Sequence, residues 1–317
     1  MIEGLVSAII PVFNRPALLV EAVSSALAQT YSHLEIIIVD DGSTDDTPEV
    51  IRSLSEGDSR VRAVWRTNGG PGLARESGRE IARGEFIQYL DSDDLLLPRK
   101  LALQVDALRA DPSAGIAYGM TRYRNAAGEE IPCTWKEANQ VQRKMFPSFL
   151  VSRWWETATP LYRRSITDAA GPWTDLRLEE DWEYDCRIAA LSPDLAYVGE
   201  VVAEHRDHPQ ERLSRGAGND PTRLRMRARA HELVAGHAAA ARLDRRMPEM
   251  QHFGRELFHL ARQCGAAGLP QESRQLLTAA IKICAARDLR AYNFVSRLIG
   301  VRNAGTMAEA LDRLRSR

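Results

Sequence analysis

Three carboxylates fall within four residues at Asp91-Ser92-Asp93-Asp94, directly behind the apolar run that starts at Phe86. Their mutual repulsion at the mouth of a buried strand is costly unless a cation neutralises it. Hard oxygen donors of this kind suit Mg2+ or Mn2+. The plainer alternative makes Asp94 the cap of a helix beginning near Pro98 and leaves the others solvated. A second acidic group, Asp40-Asp41-Gly42-Ser43-Thr44-Asp45, could accept hydrogen bonds from a nucleobase or ribose, or form an Asx-type turn with Thr44 or Asp45 as N-cap. Arg66, Asn68 and Gly69-Gly70-Pro71-Gly72 lead into a helix carrying Arg75. That order places backbone donors and a guanidinium near an anion, such as a diphosphate, although Gly/Pro runs before helices are also common turn chemistry. Glu179-Glu180-Asp181-Trp182 opens a further helix running through Cys186. Acids there complement the helix dipole, and one projecting into a cleft can take a proton from a hydroxyl. His205-Arg206-Asp207-His208 adds imidazole and guanidinium groups after another strand.

These groups need a scaffold, and the first hundred residues supply one. β-Branched apolar runs alternate with helical patterns, as in parallel sheets buried on both faces. The pattern predicts strands Val6 to Val12, Leu34 to Asp40, Val61 to Arg66 and Phe86 to Asp91, with Ile116 to Thr121 and Ala196 to Val202 following. Helices are expected over Leu18 to Gln29, over Thr47 to Leu54 with Ser43 or Thr44 as cap, and over Gly70 to Ala82. In such sheets ligands bind beyond the carboxyl ends of the strands. The tips Pro11-Val12-Phe13-Asn14, Asp40-Asp41, Asn68 with its glycines, and Asp91-Ser92-Asp93 therefore converge on one edge. After Ser214 the pattern turns helical, with segments at Arg223 to Arg242, Gln251 to Ala267, Gln271 to Ala286 and Ala291 to Ile299.

At 317 residues the chain suits one large α/β domain, assigned to residues 1–218, and an α-helical domain over 219–317. The 42 basic residues balance 43 acidic ones, so the net charge of -1 offers no global attraction to nucleic acid or anionic lipid. Arginines 223, 225, 227 and 229 wrap around their helix instead of forming one stripe and read as a solvated face, so anionic liposomes are expected to show no salt-sensitive binding to it. Four scattered cysteines form neither a zinc motif nor a disulfide framework. The start lacks signal-peptide character, and no segment reaches spanning length. The expected location is cytoplasmic, with at most peripheral contact at the inner face of the membrane.

Taken in order, IIPVFN, IIIVDDGSTD, RTNGGPGLARESG and IQYLDSDD, followed by DLRLEEDWEYDCRI and HRDHPQERLS, resemble the family 2 glycosyltransferases of the GT-A fold, over roughly Val6 to Ser214. The resemblance implies a GT-A-type α/β fold: a Rossmann-like, mostly parallel central sheet with flanking helices, here with a C-terminal helical unit. It implies an inverting transfer from a nucleoside-diphosphate sugar, UDP favoured, to a saccharide, lipid-linked or protein acceptor. Pro11, Phe13, Asn14, Asp40, Asp41, Asn68, Arg75, Asp91, Ser92 and His208 would line the donor, Asp93 would reach the metal, and Asp181, beside Glu180, would be the base. The family often has Asn where this chain has Glu76, and the gap from His208 to Ser214 is longer than its pattern.

Two other readings remain open from sequence. A nucleotidyltransferase also handles activated sugars, but it needs a Gly-rich basic loop where this chain has Phe13-Asn14-Arg15-Pro16. A catalytically silent nucleotide-sugar-binding or scaffold subunit would keep the fold without needing Asp93 or Asp181. Trp154 and Trp155 could stack on a sugar ring or pack in the core.

Overall fold

The computed structural model describes residues 1–132, 141–207, 220–284 and 287–307. The chain divides into two compact units. The first comprises residues 1–145, 153–180 and 191–210, and the second comprises 146–152, 181–190 and 211–317. The expected boundary between residues 218 and 219 lies outside the described residues.

The first unit is built on a sheet of strands β1 (Ile2–Val12), β2 (Leu34–Asp40), β3 (Val61–Trp65), β4 (Gly84–Tyr89), β5 (Leu95–Leu96), β6 (Ala114–Arg124), β7 (Glu130–Ile131), β8 (Leu161–Arg163) and β9 (Asp194–Arg206). Their order is β3-β2-β1-β4-β8-β6-β9-β5, with β7 paired to β6 off this path. β3, β2, β1 and β4 run parallel, as do β6 and β9, whereas β8 and β5 pair antiparallel to their neighbours. Every residue of β2 is buried, which explains its unbroken apolar run: helices cover both faces, so no polar alternation is needed. Helices α1 (Pro16–Leu27), α2 (Thr47–Gly57), α3 (Pro71–Ile81), α4 (Lys100–Ala110) and α5 (Arg164–Ala170) flank the sheet. α1 and α4 contribute Leu19, Val23, Leu101 and Val105 to the core beside Ile10, Ile36 and Phe86.

The chain leaves β1 on one side for β2 and β3 and returns on the other for β4, so the topology switches at β1. A crevice opens at such a point because the connections leave in opposite directions. Register widens it. Val12 lies opposite Asp40, which lies opposite Trp65, whereas β4 stops with Tyr89 opposite Ile9. Residues 90–94 therefore run out beside the last turn of β1. Leu90 N–H donates to Ile9 O at 3.0 Å and Asp41 N–H donates to Val12 O at 2.9 Å. By strand alternation the missing N–H of Pro11 then faces the β4 side, past the end of that pairing, so proline costs no ladder bond there.

Two capping expectations are corrected. Thr47 N–H is accepted by Asp45 Oδ1 at 3.0 Å, the Asx-type alternative with Asp45, and not by Ser43 or Thr44. The helix after the acidic tip starts at Lys100 without a side-chain cap, and Asp94 is held elsewhere.

Lys100 is fully buried; its ammonium donates to Gln104 Oε1 and to Thr159 O at 3.0 Å. Burial holds its pKa well below the usual 10.5. The folded state thus resists protonation that the unfolded chain accepts, and the resulting penalty on stability grows as pH falls from about 10.5. Lys100→Met is expected to gain stability over wild type at neutral pH and to lose that advantage at high pH, measured by urea unfolding. Thr159 O keeps its bond from Gln104 Nε2 at 2.9 Å in that variant, whereas the buried Gln104 Oε1 loses its donor, which offsets part of the gain.

The second unit consists of α6 (Glu180–Ala190, from its second residue on), α7 (Pro221–Ala240), α8 (Pro248–Ala266), α9 (Pro270–Ile283) and α10 (Arg287–Ile299), with residues 146–152. Asp220 caps α7 by accepting from Thr222 and Arg223 N–H. Trp182 packs edge-on to His231 and Phe253 and donates from Nε1 to Phe149 O at 2.7 Å. The buried Glu183 carboxylate lies 2.8 Å from His237 Nε2 and 2.9 Å from Arg187. Among the described residues no helix is long and apolar enough to cross a membrane.

Candidate active site

Four polar tips meet at the carboxyl edge of the parallel strands in the first unit. At the end of β1, Asn14 adopts φ 52°, a left-handed conformation that asparagine tolerates better than most residues. There its N–H donates to Ser43 Oγ at 3.0 Å and its Oδ1 accepts Thr44 N–H at 2.8 Å, tying the tip of β1 to that of β2. Phe13 beside it is 44% exposed, leaving an aromatic face open to a ligand.

At the end of β2, Asp40 Oδ1 accepts Ser43 N–H at 3.0 Å, bridging the turn through Asp41 and Gly42. The buried Asp41 pairs with Arg66 and accepts Gly69 N–H at 3.0 Å and Gly70 N–H at 2.7 Å. Both its oxygens are engaged, so its direct task is to shape the loop around Arg66 and Asn68. Gly42 permits this packing. It has φ 81°, and a Cβ there would lie 2.8 Å from Asn68 N. Gly42→Ala is expected to lose at least about 2 kcal/mol of stability in denaturant unfolding, combining left-handed strain with a collision against backbone.

The acidic tip after β4 is ordered by cations. Asp93, 8% exposed, takes Arg15 Nη1 at 2.8 Å. Arg75, 3% exposed, spans Asp91 at 2.6 Å and Glu180 at 3.0 Å and lies 4.8 Å from the Trp173 ring centre. The guanidinium expected beside a diphosphate is thus buried between two acids, and it fixes the direction of Asp91 while Ser92 is buried next to it. Asp94 faces His205 Nδ1 at 3.0 Å and accepts Arg206 N–H at 3.3 Å, which accounts for its absence from the helix cap. Burial pushes the Asp94 carboxyl up to about 6, His205 partly offsets this, and the Asp93 and Asp91 charges add to it. Arg206 Nε also donates to Asp93 O at 2.9 Å.

Glu76 does not project negative charge into this edge. Its carboxylate is taken by Arg79 at 2.7 Å and by the Trp173 N–H at 3.1 Å. Gly72 lies against Thr174 O, where a Cβ would come within 2.5 Å, so α3 and the 172–178 segment pack backbone to backbone. Glu180 ends the first unit's share of the chain. Asp181 belongs to the second unit, where its Oδ1 accepts Trp182 N–H at 2.7 Å at the start of α6. Glu179 precedes them at φ 59°, a strained position for a non-glycine residue. His208 lies outside the described residues. Trp154 and Trp155 are core residues: both are buried and pack on Tyr118 at 5.1 and 5.8 Å.

Among the described residues no three Asp, Glu, His or Cys side chains converge as a self-sufficient metal cage. A Mg2+ or Mn2+ held by one or two carboxylates and completed by phosphate and water oxygens needs none. Asp93, already neutralised by a cation and flanked by further acids, has the donor chemistry for that role. Arg15, Arg206 and His205 were not assigned site roles from sequence. A basic residue directly after the first strand tip, facing an acidic tip, was the available signal for Arg15.

The profile of glycosyl transferase family 2 matches residues 7–166. The chain belongs to glycosyl transferase family 2. An uncharacterized glycosyltransferase of Rickettsia felis is 46% identical to this family 2 chain over 100 residues, 32% of this chain and 16% of that protein. The chondroitin synthase of Escherichia coli is 39% identical over 127 residues, 40% of this chain and 18% of that enzyme. The matched part is thus under a fifth of either relative. In fold, S. aureus TarS 1–349 in complex with UDP-GlcNAc matches with a TM-score of 0.70 at 18% identity, covering 98% of this chain and 92% of that 1–349 chain. The mannosyltransferase PcManGT of Pyrobaculum calidifontis, in complex with GDP-Man and Mn2+, matches with a TM-score of 0.53 at 20% identity, covering 98% and 86%. The GT-A-type architecture expected from the motifs is the one observed, and family membership sets aside the nucleotidyltransferase alternative.

Proposed function

We propose that this family 2 chain is an inverting glycosyltransferase that moves a sugar from a nucleoside-diphosphate donor, UDP favoured, to a hydroxyl of a saccharide, lipid-linked or protein acceptor. The observation that carries this reading is the convergence of the Asp41-ordered loop and the Asp91-Asp93 carboxylates at the switch point beside β1. The complexes of TarS with UDP-GlcNAc and of PcManGT with GDP-Man and Mn2+ support donors of this class.

In this reading Phe13 covers one side of the nucleoside, with Pro11 and Asn14 shaping the floor. Asp40 and Asp41 border the base and ribose, Asp41 acting through the Arg66 and Asn68 loop it braces. Asp93 would hold Mg2+ or Mn2+, and Asp91, aimed by Arg75, would support it. A bound ion supplies charge neutralisation for the departing diphosphate. Arg15, paired with Asp93, would lie near the phosphates and contribute charge of the same electrostatic kind. His208 is assigned to the phosphate side by resemblance alone. Asp181 takes the proton of the acceptor hydroxyl while that oxygen bonds to the anomeric carbon and the carbon–phosphate oxygen bond breaks, a single displacement that inverts the centre. Glu180 keeps the chain just before Asp181 in place through Arg75.

The test is nucleoside-diphosphate release from UDP-, dTDP- and GDP-sugars, assayed with and without manganese. Manganese-dependent release from one donor class supports the reading; no release from any of them favours a silent binding or scaffold subunit.

A further inference from the structure

The helical second unit carries a cavity that has no part in the donor chemistry. It occupies about 690 Å³ among α7, the loop after it, the start of α8, and α9, a size in the range of small-molecule sites. Its floor is small and apolar, formed by residues such as Ala238, Ala279 and Met250. Arg242, Arg245, Arg274 and Lys282 also line it, and no acidic residue does. Among the described residues none of these four side chains is paired with an acid.

Helix-end electrostatics accounts for only two of them. Lys282 sits in the last turn of α9, and Arg242 lies two residues past the end of α7, just beyond its cap Ala241, where a cation complements the helix dipole. Arg245 lies in the connection between α7 and α8. Arg274 sits in the first half of α9, nearer the end where the dipole disfavours a cation. Gathering four like charges around one concavity is costly without a counter-charge.

We propose that this cavity is a binding site for a phosphate ester, its anion held by the four cations and its carbon skeleton seated on the alanine floor. Arginine forks pair bidentately with phosphate oxygens, in monoesters and diesters alike, and four cations exceed the demand of a single carboxylate. The same glycerol-phosphate chemistry is offered by a soluble ester and by a phospholipid headgroup, so both sources are tested.

The probes are glycerol 3-phosphate in calorimetry, and phosphatidylcholine vesicles with or without phosphatidylglycerol in sedimentation. They are applied to the full chain and to Arg245→Glu/Arg274→Glu. Both positions are exposed, and Arg245→Gln/Arg274→Gln serves as a milder variant if charge reversal unfolds the unit. Saturable binding of glycerol 3-phosphate, weakened on the order of tenfold or more in the variant, assigns a soluble ester. Salt-sensitive binding only to phosphatidylglycerol vesicles, lost in the variant, assigns a lipid source. Nucleoside-diphosphate binding should be unchanged in either variant. No binding of either probe, or equal binding by wild type and variant, overturns the proposal.

Discussion

Asp93→Ala is expected to lower sugar transfer by on the order of 10²–10⁴-fold while the unfolding midpoint stays near that of wild type. A metal that neutralises a departing diphosphate is worth several kcal/mol in the transition state, and each 1.36 kcal/mol is about a decade in rate. Asp93 sits past the end of β4 and pairs with Arg15, whose guanidinium keeps some access to solvent, so the fold is expected to tolerate its removal. The residual activity should no longer respond to manganese. Activity within a few-fold of wild type, or an unchanged manganese response, would remove Asp93 from the metal role.

Asp181→Asn is expected to cost roughly 10²–10⁴-fold in kcat with little change in donor affinity, the range of a lost general base. Asparagine retains an acceptor for the Trp182 N–H that Asp181 holds at the start of α6, so the helix entry should survive. Glu180→Gln is the informative companion. It weakens the ion pair with the buried Arg75, which also holds Asp91, and its damage should fall on donor and metal affinity as well as on kcat. The pair is read by measuring donor dissociation constants beside steady-state rates. If Asp181→Asn weakens donor binding as strongly as it slows turnover, the base assignment fails and Asp181 becomes a binding group.

The parallel half of the sheet was legible because physics writes it locally. The centres of β1, β2 and β4 are buried and largely apolar, and polar turns end them at one edge of the sheet. β5 and β8 left no signal, since two or three residues of strand cannot establish a period. The acidic tip was visible as a cluster, but the duties of its members were not. Asp94 looked like a helix cap and is instead held by His205 and the Arg206 amide from a strand far along the chain. Arg75 looked free to meet a phosphate and is buried between Asp91 and Glu180 over Trp173. Glu76 looked repulsive and is neutralised by Arg79 one helical turn away. The first two depend on which distant partner tertiary packing brings alongside, and local spacing carries no record of that; the Glu76–Arg79 pair is local, at i,i+3 spacing.

The central claim is most directly tested by calorimetric titration of UDP, dTDP and GDP into the wild-type chain with and without manganese. The expected result is saturable binding of one diphosphate, UDP favoured, that requires manganese and disappears in Asp93→Ala. Absence of binding by all three diphosphates, with manganese present, would contradict a nucleotide-sugar donor site at this strand edge.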